Sequence, residues 1–235
     1  KAIDELDGIN NLDMNVTAKV TEGRALNTDE FLKNVKNVIG IASGKGGVGK
    51  STVALNLSLA LAKTGAKVGL LDADVYGPSI PLMLGLKNTV VEADKDGKII
   101  PTESNGIKVV SFGFFGEQAK QAAIFRGPVI SNVLKEYFIK GTIWGELDYL
   151  IVDLPPGTGD IPLTLAQSIP ITGIVVVTTP QEVASSVAVK AIGMFEKLNV
   201  PMLGVVENMS HFECSKCSET HYIFGKGGAQ KISEE

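Results

Sequence analysis

The chain has 235 residues, 44% of them hydrophobic and 20% charged, with a formal net charge of −4 and a pI near 5.4. This size and balance suit one α/β domain with a sizeable buried core, and the acidic charge weighs against nonspecific nucleic-acid binding, which needs clustered Lys and Arg. The sequence shows two cysteines, no secretory signal and no apolar run of the roughly 18 residues that cross a bilayer. A cytoplasmic protein with no membrane contact and no disulfide framework is expected.

Residues 1–30 are polar and differ from the rest of the chain. Gly8-Ile9-Asn10-Asn11 reads as a turn, and Asp13 to Thr21 alternates loosely, as a strand does. This leader segment reads either as the end of a small upstream domain or as a leader strand. Asn27-Thr28-Asp29-Glu30 offers helix-capping chemistry ahead of a short amphipathic turn, Phe31 to Val35. From Val38 the pattern becomes an alternation of strands and helices. Val38 to Ala42 predicts a strand and Gly49 to Lys63 a helix with Val53, Leu57, Ala60 and Leu61 on its apolar face. Lys67 to Leu71 predicts a strand ending in Asp72, and Ser79 to Leu84 one helical turn. Ile99 to Pro101 and Ile107 to Phe112 are expected to pair as a hairpin across Thr102–Gly106. Pro128 to Phe138 predicts a helix with Pro in its first turn. Tyr149 to Asp153, Ile161 to Gln167, Ile174 to Thr178, Val183 to Leu198 and Met202 to Val206 continue the alternation.

Strands that are apolar throughout, separated by helices, predict a mostly parallel sheet with helices on both faces. The domain is expected over 31–235. The chain begins at Lys1 and stops at Glu235, a few residues into a helix starting near Gly228, so a further strand and helix are expected in the native protein.

Gly44-Lys45-Gly46-Gly47-Val48-Gly49-Lys50-Ser51 fits the pattern G-x-x-x-x-G-K-[ST], with Thr52 next in the chain. Glycines let backbone N–H groups turn inward around phosphates without Cβ clashes, and the succeeding helix points its positive N-terminus at them. In this pattern Lys50 meets the β and γ phosphates and the Ser51 hydroxyl ligates Mg²⁺. Lys45 is not needed for that cradle. The string Lys-Gly-Gly-Val-Gly-Lys-Ser-Thr resembles the deviant Walker A loop of the MinD/ParA/nitrogenase-iron-protein class, a SIMIBI-type P-loop NTPase. In that class the extra Lys reaches the phosphates of a facing subunit in an ATP-sandwich dimer.

Asp72 and Asp74 close one strand and Asp153 closes another. In open α/β sheets, ligands sit beyond the carboxyl ends of strands. By the class resemblance, Asp74 is the candidate for positioning an attacking water and Asp72 for outer-shell contact with Mg²⁺. Asp153 looks like a Walker B aspartate running into a switch loop, where Pro155 and Pro156 stiffen the chain and Gly157 leaves an N–H free for a γ-phosphate. Asn208, at the end of a later strand, resembles an adenine contact of the class and favours ATP. No arginine in the chain stands out as a finger, so slow hydrolysis is expected, with Lys45 of a partner supplying charge and Arg126 a lesser interface candidate.

Cys214-Ser215-Lys216-Cys217 comes soon after Asn208. Two thiolates two residues apart can chelate one metal or one cluster edge, but they do not complete a four-coordinate site. Three ways forward are open. Two subunits can each give Cys214 and Cys217 to a [4Fe–4S] cluster or a zinc ion. One chain can hold zinc through His211, Cys214, Cys217 and His221. Or the pair can act as a redox dithiol.

Taken together, Lys45–Thr52, Asp72–Ser79, Asp153–Asp160, Thr179-Pro180-Gln181-Glu182-Val183-Ala184 and Asn208-Met209-Ser210 with the cysteine pair resemble the Mrp/ApbC-type iron–sulfur cluster carrier ATPases. The resemblance runs from Val38 to Glu235. It implies a homodimeric ATPase that binds ATP and Mg²⁺, holds a [4Fe–4S] cluster between subunits and delivers it to apo iron–sulfur proteins. Two other outcomes remain open at this point: a positioning ATPase of the ParA/MinD kind, and a zinc-bound structural dimer, since zinc replaces clusters in aerobic preparations.

Overall fold

The computed structural model describes residues 20–21, 32–116 and 127–234. The expected turn at Gly8–Asn11, most of the strand at Asp13–Thr21, the Asn27–Glu30 cap and Arg126 lie outside the described residues. Strand β1 spans Val35–Ala42, helix α1 Lys50–Lys63, β2 Val68–Asp72 and the short α2 Ile80–Met83. Next are β3 Glu92–Ala93, β4 Ile99–Ile100, β5 Thr102–Ser104, β6 Ile107–Ser111 and a 3₁₀ turn at Phe112–Phe115. Then come α3 Gly127–Val133, which widens into a π-helix at Leu134–Lys140, β7 Leu147–Asp153 and α4 Asp160–Ser168. Last are β8 Gly173–Thr178, α5 Glu182–Lys197, β9 Met202–Glu207, β10 Phe212–Glu213, β11 Thr220–His221 and α6 Gly228–Glu234.

Seven strands form one sheet in the order β5-β6-β2-β7-β1-β8-β9. Every pairing from β6 to β9 is parallel, and only β5 runs antiparallel to its neighbour. The apolar strands explain the layers. Side chains alternate between faces along a strand, so Ile41, Leu70, Ile151 and Val177 pack with Val48, Ala54 and Leu55 on one face. Ala42, Leu71, Val152 and Val176 point the other way, onto Ile130, Leu134, Leu165, Ala188 and Phe195. Helix α1 covers the first face, while α3, α4 and α5 cover the second. Strand β2 is buried from end to end, as a strand covered on both faces must be.

Three expectations need correction. On α1, Val53, Leu57 and Leu61 are partly buried and do pack against the core, but Ala60 is exposed and the fully buried residues are Lys50, Ala54, Leu55 and Ser58. The hairpin also has a different register. Pro101 has no N–H to give a ladder, so β4 ends before it and pairs with β3, while β5 pairs with β6 across Asn105-Gly106. Both turn residues have positive φ, 49° and 77°, as an Asn-Gly hairpin turn requires. Finally, the Pro128–Phe138 helix is α-helical only as far as Val133. The wider π-turn buries both Phe138 and Ile139 and brings the Phe138 ring 5.1 Å from those of Phe112 and Phe115.

The carboxyl ends of β1, β2, β7, β8 and β9 lie side by side, with Asp72 opposite Asp153 and Thr178 opposite Glu207. That edge carries every motif except the cysteine pair. Among the described residues, no helix is long and apolar enough to cross a membrane.

Candidate functional site

The loop between β1 and α1 surrounds a cavity of about 240 Å³ lined by Ser43, Gly46, Gly47, Gly49, Lys50, Ser51, Thr52, Asp74, Gly77, Ser79 and Pro156. A larger groove of about 560 Å³, near Lys67 and Glu146, lies at the opposite end of the strands, away from the motifs. The smaller cavity opens on the N-terminus of α1, where unpaired N–H groups and the helix dipole favour an anion. Two glycines in the loop are required by geometry. Gly49 has φ 88°, and a Cβ there would overlap the Asn208 side chain. Gly44 packs against the backbone of α5, where a Cβ would sit 2.5 Å from Val187.

Lys50 is the electrostatic centre. Its ammonium lies 2.7 Å from Asp153 Oδ1 and 3.5 Å from Asp74 Oδ2, and its side chain is only 6% exposed. Asp153 Oδ2 and Asp74 Oδ1 are buried with no hydrogen-bond partner among the described residues. An unpaired buried carboxylate oxygen is costly, so both are donor sites suited to a hydrated divalent cation beside the Ser51 hydroxyl.

Asp72 is fully buried and does not line the cavity. Its carboxylate accepts from Ser111 Oγ at 2.9 Å, the Asp74 N–H at 3.2 Å and the Ile80 N–H at 3.3 Å. It therefore anchors both the Asp74 turn and the start of α2. Burial, reinforced by the Asp153 charge, pushes Asp72 up to about 7 against the pull of Ser111 and Lys50. Burial also raises Asp153, in spite of Lys50.

The Asp72 shift has a consequence for stability. In the unfolded chain the group titrates near 3.8, so between there and about 7 the native state holds a proton that the unfolded state has released. This contribution to stability is complete below the lower value, is lost as pH rises through the upper one, and is flat beyond. In nucleotide-free protein the group is expected to lower the unfolding free energy by about 2–3 kcal/mol between pH 5 and pH 8. Urea denaturation of Asp72→Asn at both pH values should show that part of the slope missing.

The other residues singled out by sequence occupy varied places. Val48 is buried behind the loop. Lys45 lies outside the cavity, with its ammonium 3.1 Å from Gln181 Oε1. Gly157 does not present a free N–H as expected, since it donates to the Ser43 carbonyl at 2.8 Å, tying the post-β7 loop to the phosphate loop. Asn208 donates its N–H to the Thr178 carbonyl and its amide to the Val48 carbonyl, each at 2.9 Å, so the end of β9 grips the loop. Sequence reasoning gives no role to Ser43, Ser111 or Gln181. Gln181 alone has a visible signal, the Thr-Pro-Gln-Glu string at the end of β8.

The cysteine hairpin lies just beyond Asn208. β10 and β11 pair antiparallel, and Cys214 N–H donates to the Glu219 carbonyl at 3.0 Å. Cys214 is half-buried and Cys217 exposed, and neither is in a disulfide. Backbone N–H groups of Lys216 and Cys217, and the Cys217 side chain, lower the Cys214 thiol and so favour its thiolate. The expected alternative of zinc within one chain is not assembled. Among the described residues no three of His, Cys, Asp and Glu are placed to hold one ion. The reason is local: His211 bonds Ser210 at 3.0 Å, and His221 sits against Phe212 on the opposite strand.

A parallel sheet with a glycine-rich loop, buried lysine and facing aspartates at its carboxyl edge defines a P-loop NTPase. Residues 34–235 match the family model described as ParA, NUBPL iron-transfer P-loop NTPase, and the chain belongs to that family. It is 52% identical over 207 residues to the iron-sulfur cluster carrier protein of Aquifex aeolicus, covering 88% of this chain and 56% of that protein. Its identity to the protein of the same name from Escherichia coli K12 is 48% over 230 residues, covering 98% and 62%. The chain thus spans little more than half the length of these relatives. Among solved structures, a nucleotide-binding protein from Archaeoglobus fulgidus in complex with ADP superposes with a TM-score of 0.76 at 44% identity, covering 87% of this chain and 79% of that one. The cell-division ATPase MinD of Pyrococcus furiosus, at 24% identity and TM-score 0.55 over 73% and 71%, shares the fold.

Proposed function

We propose that this chain is a slow ATPase that works as a homodimer, assembles a [4Fe–4S] cluster between its subunits and passes it to apo iron–sulfur proteins in the cytoplasm, without nucleic acid or membrane. The observation that carries the reading is Asn208. One residue links the nucleotide loop, through Val48, to the segment that leads into Cys214 and Cys217. A change in the loop is felt at the hairpin through that contact. The names of the relatives supply the cargo, an iron–sulfur cluster.

In this reading Gly44 to Thr52 hold the ATP phosphates, with Lys50 on the β and γ groups. Ser51 ligates Mg²⁺ and Asp153 supports its hydration shell, while the outer-shell contact expected of Asp72 gives way to an anchoring role, because its carboxylate is buried behind the cavity and taken up by Ser111, Asp74 N–H and Ile80 N–H. Asp74 positions the attacking water, Pro156 lies at the cavity where the γ-phosphate would sit, Gly157 ties its loop to the phosphate loop through Ser43, and Asn208 also meets the adenine. Lys45 acts across the dimer, where it neutralises transition-state charge. Cys214 and Cys217 are exposed enough to meet a second copy, and two pairs give the four thiolates of a cluster. Zinc takes the same thiolates in aerobic preparations.

Transfer is the test. Protein reconstituted without oxygen with iron and sulfide should restore the activity of an apo iron–sulfur enzyme faster than free iron and sulfide do, at a rate that MgATP changes. Recovery no faster than the free ions give would count against a carrier.

A further inference from the structure

The contact between Lys45 and Gln181 takes no part in the Asp153–Lys50–Asp74 cluster. Lys45 is not among the residues lining the cavity, although its neighbours Gly46 and Gly47 are. Its ammonium turns instead to Gln181 Oε1, which also lies 3.5 Å from the Thr179 hydroxyl. Both ends of this contact are held in place by the backbone. Gln181 is the N-cap residue of α5, and its carbonyl accepts from the N–H groups of Ala184 and Ser185. On the other side, the Ser43 hydroxyl donates to the Lys45 carbonyl at 3.0 Å, and Gly44 lies against Val187 with no room for a Cβ. The two side chains are what is left to move.

From this we infer that Gln181 is a positioning residue that holds Lys45 away from its own phosphate cavity, in a contact that must break before Lys45 reaches a facing subunit. The inference rests on the dimer reading above. The choice of amide fits the task. A neutral carbonyl oxygen orders an ammonium, yet releases it more readily than a carboxylate in the same half-buried place, where solvent screens a charge pair less. Holding Lys45 keeps a second cation off the chain's own phosphates, so that charge neutralisation waits for a partner.

Two variants act in opposite directions. Gln181→Met keeps the length and removes the acceptor; Gln181→Glu keeps the shape and adds a charge. In nucleotide-free protein, labelling of the Lys45 amine by an amine-reactive reagent, read by peptide mass spectrometry, should be severalfold faster in Gln181→Met and severalfold slower in Gln181→Glu. The protein concentration giving half-maximal ATP turnover should fall in Gln181→Met and rise at least fivefold in Gln181→Glu. Damage to the start of α5 would shift both variants the same way, so shifts of one sign, or none, overturn the proposal. Lys45→Ala separates the two levels. Turnover at the wild-type rate in that variant refutes the action of Lys45 across the dimer. An inactive Lys45→Ala variant beside unshifted Gln181 variants refutes only the holding role.

Discussion

Lys50→Ala is expected to cost about 3–5 kcal/mol of folding stability in nucleotide-free protein, besides weakening ADP binding by about 10–100-fold. The stability loss comes from the groups that Lys50 leaves behind. Asp153 is fully buried, Asp74 nearly so, and Lys50 is the cation paired with both. Removing one partner of a buried pair leaves an uncompensated charge, which is the expensive case. Protonation offers relief, and Asp72 behind the pair already titrates near 7, so the loss should be larger at pH 8 than at pH 5. Adding Asp153→Asn to Lys50→Met, which fills the space without a charge, should recover much of the stability but none of the nucleotide affinity. Urea unfolding and calorimetric titration with ADP read the two effects separately. Equal recovery of both in the double variant would show that Lys50 serves the fold alone.

The second large effect is at the cysteines. Cys214→Ala together with Cys217→Ala is expected to abolish cluster binding after anaerobic reconstitution, read by visible absorption and iron content. The same pair of changes should leave stability within about 0.5 kcal/mol, because the hairpin is exposed and neither thiol packs in the core. Either single variant should also fail, since two subunits each losing one thiolate leave two of the four a cluster needs. The N–H groups of Lys216 and Cys217 favour the thiolate of Cys214. Cys214→Ser, a poorer ligand in the same turn, should therefore retain less iron than Cys217→Ser.

Much of this architecture is legible in the chain itself. Fully apolar strands and a complete phosphate-loop string carry both a period and a chemistry, so the parallel sheet and the position of Lys50, Asp72, Asp74 and Asp153 at its carboxyl edge come from local signals. The errors fall where a tertiary partner decides. Lys50 is buried at the start of α1 against Asp153, a charged partner that no hydrophobic pattern records. The β5–β6 register is visible in Asn105-Gly106 but is obscured by the apolar Ile99-Ile100 beside Pro101. Gly157 reads as free in the sequence, and only the fold shows the Ser43 carbonyl waiting for it. Gln181 and Ser111 act through single hydrogen bonds across 136 and 39 residues of chain, and such pairs leave no periodic trace.

The shared cluster is tested most directly by iron counted per sedimenting particle. Protein reconstituted without oxygen should carry about four irons in a particle of two chains, and the Cys214→Ala, Cys217→Ala variant should carry none. Iron bound at full stoichiometry to a single chain, or retained by the double variant, would contradict a cluster held between two cysteine pairs.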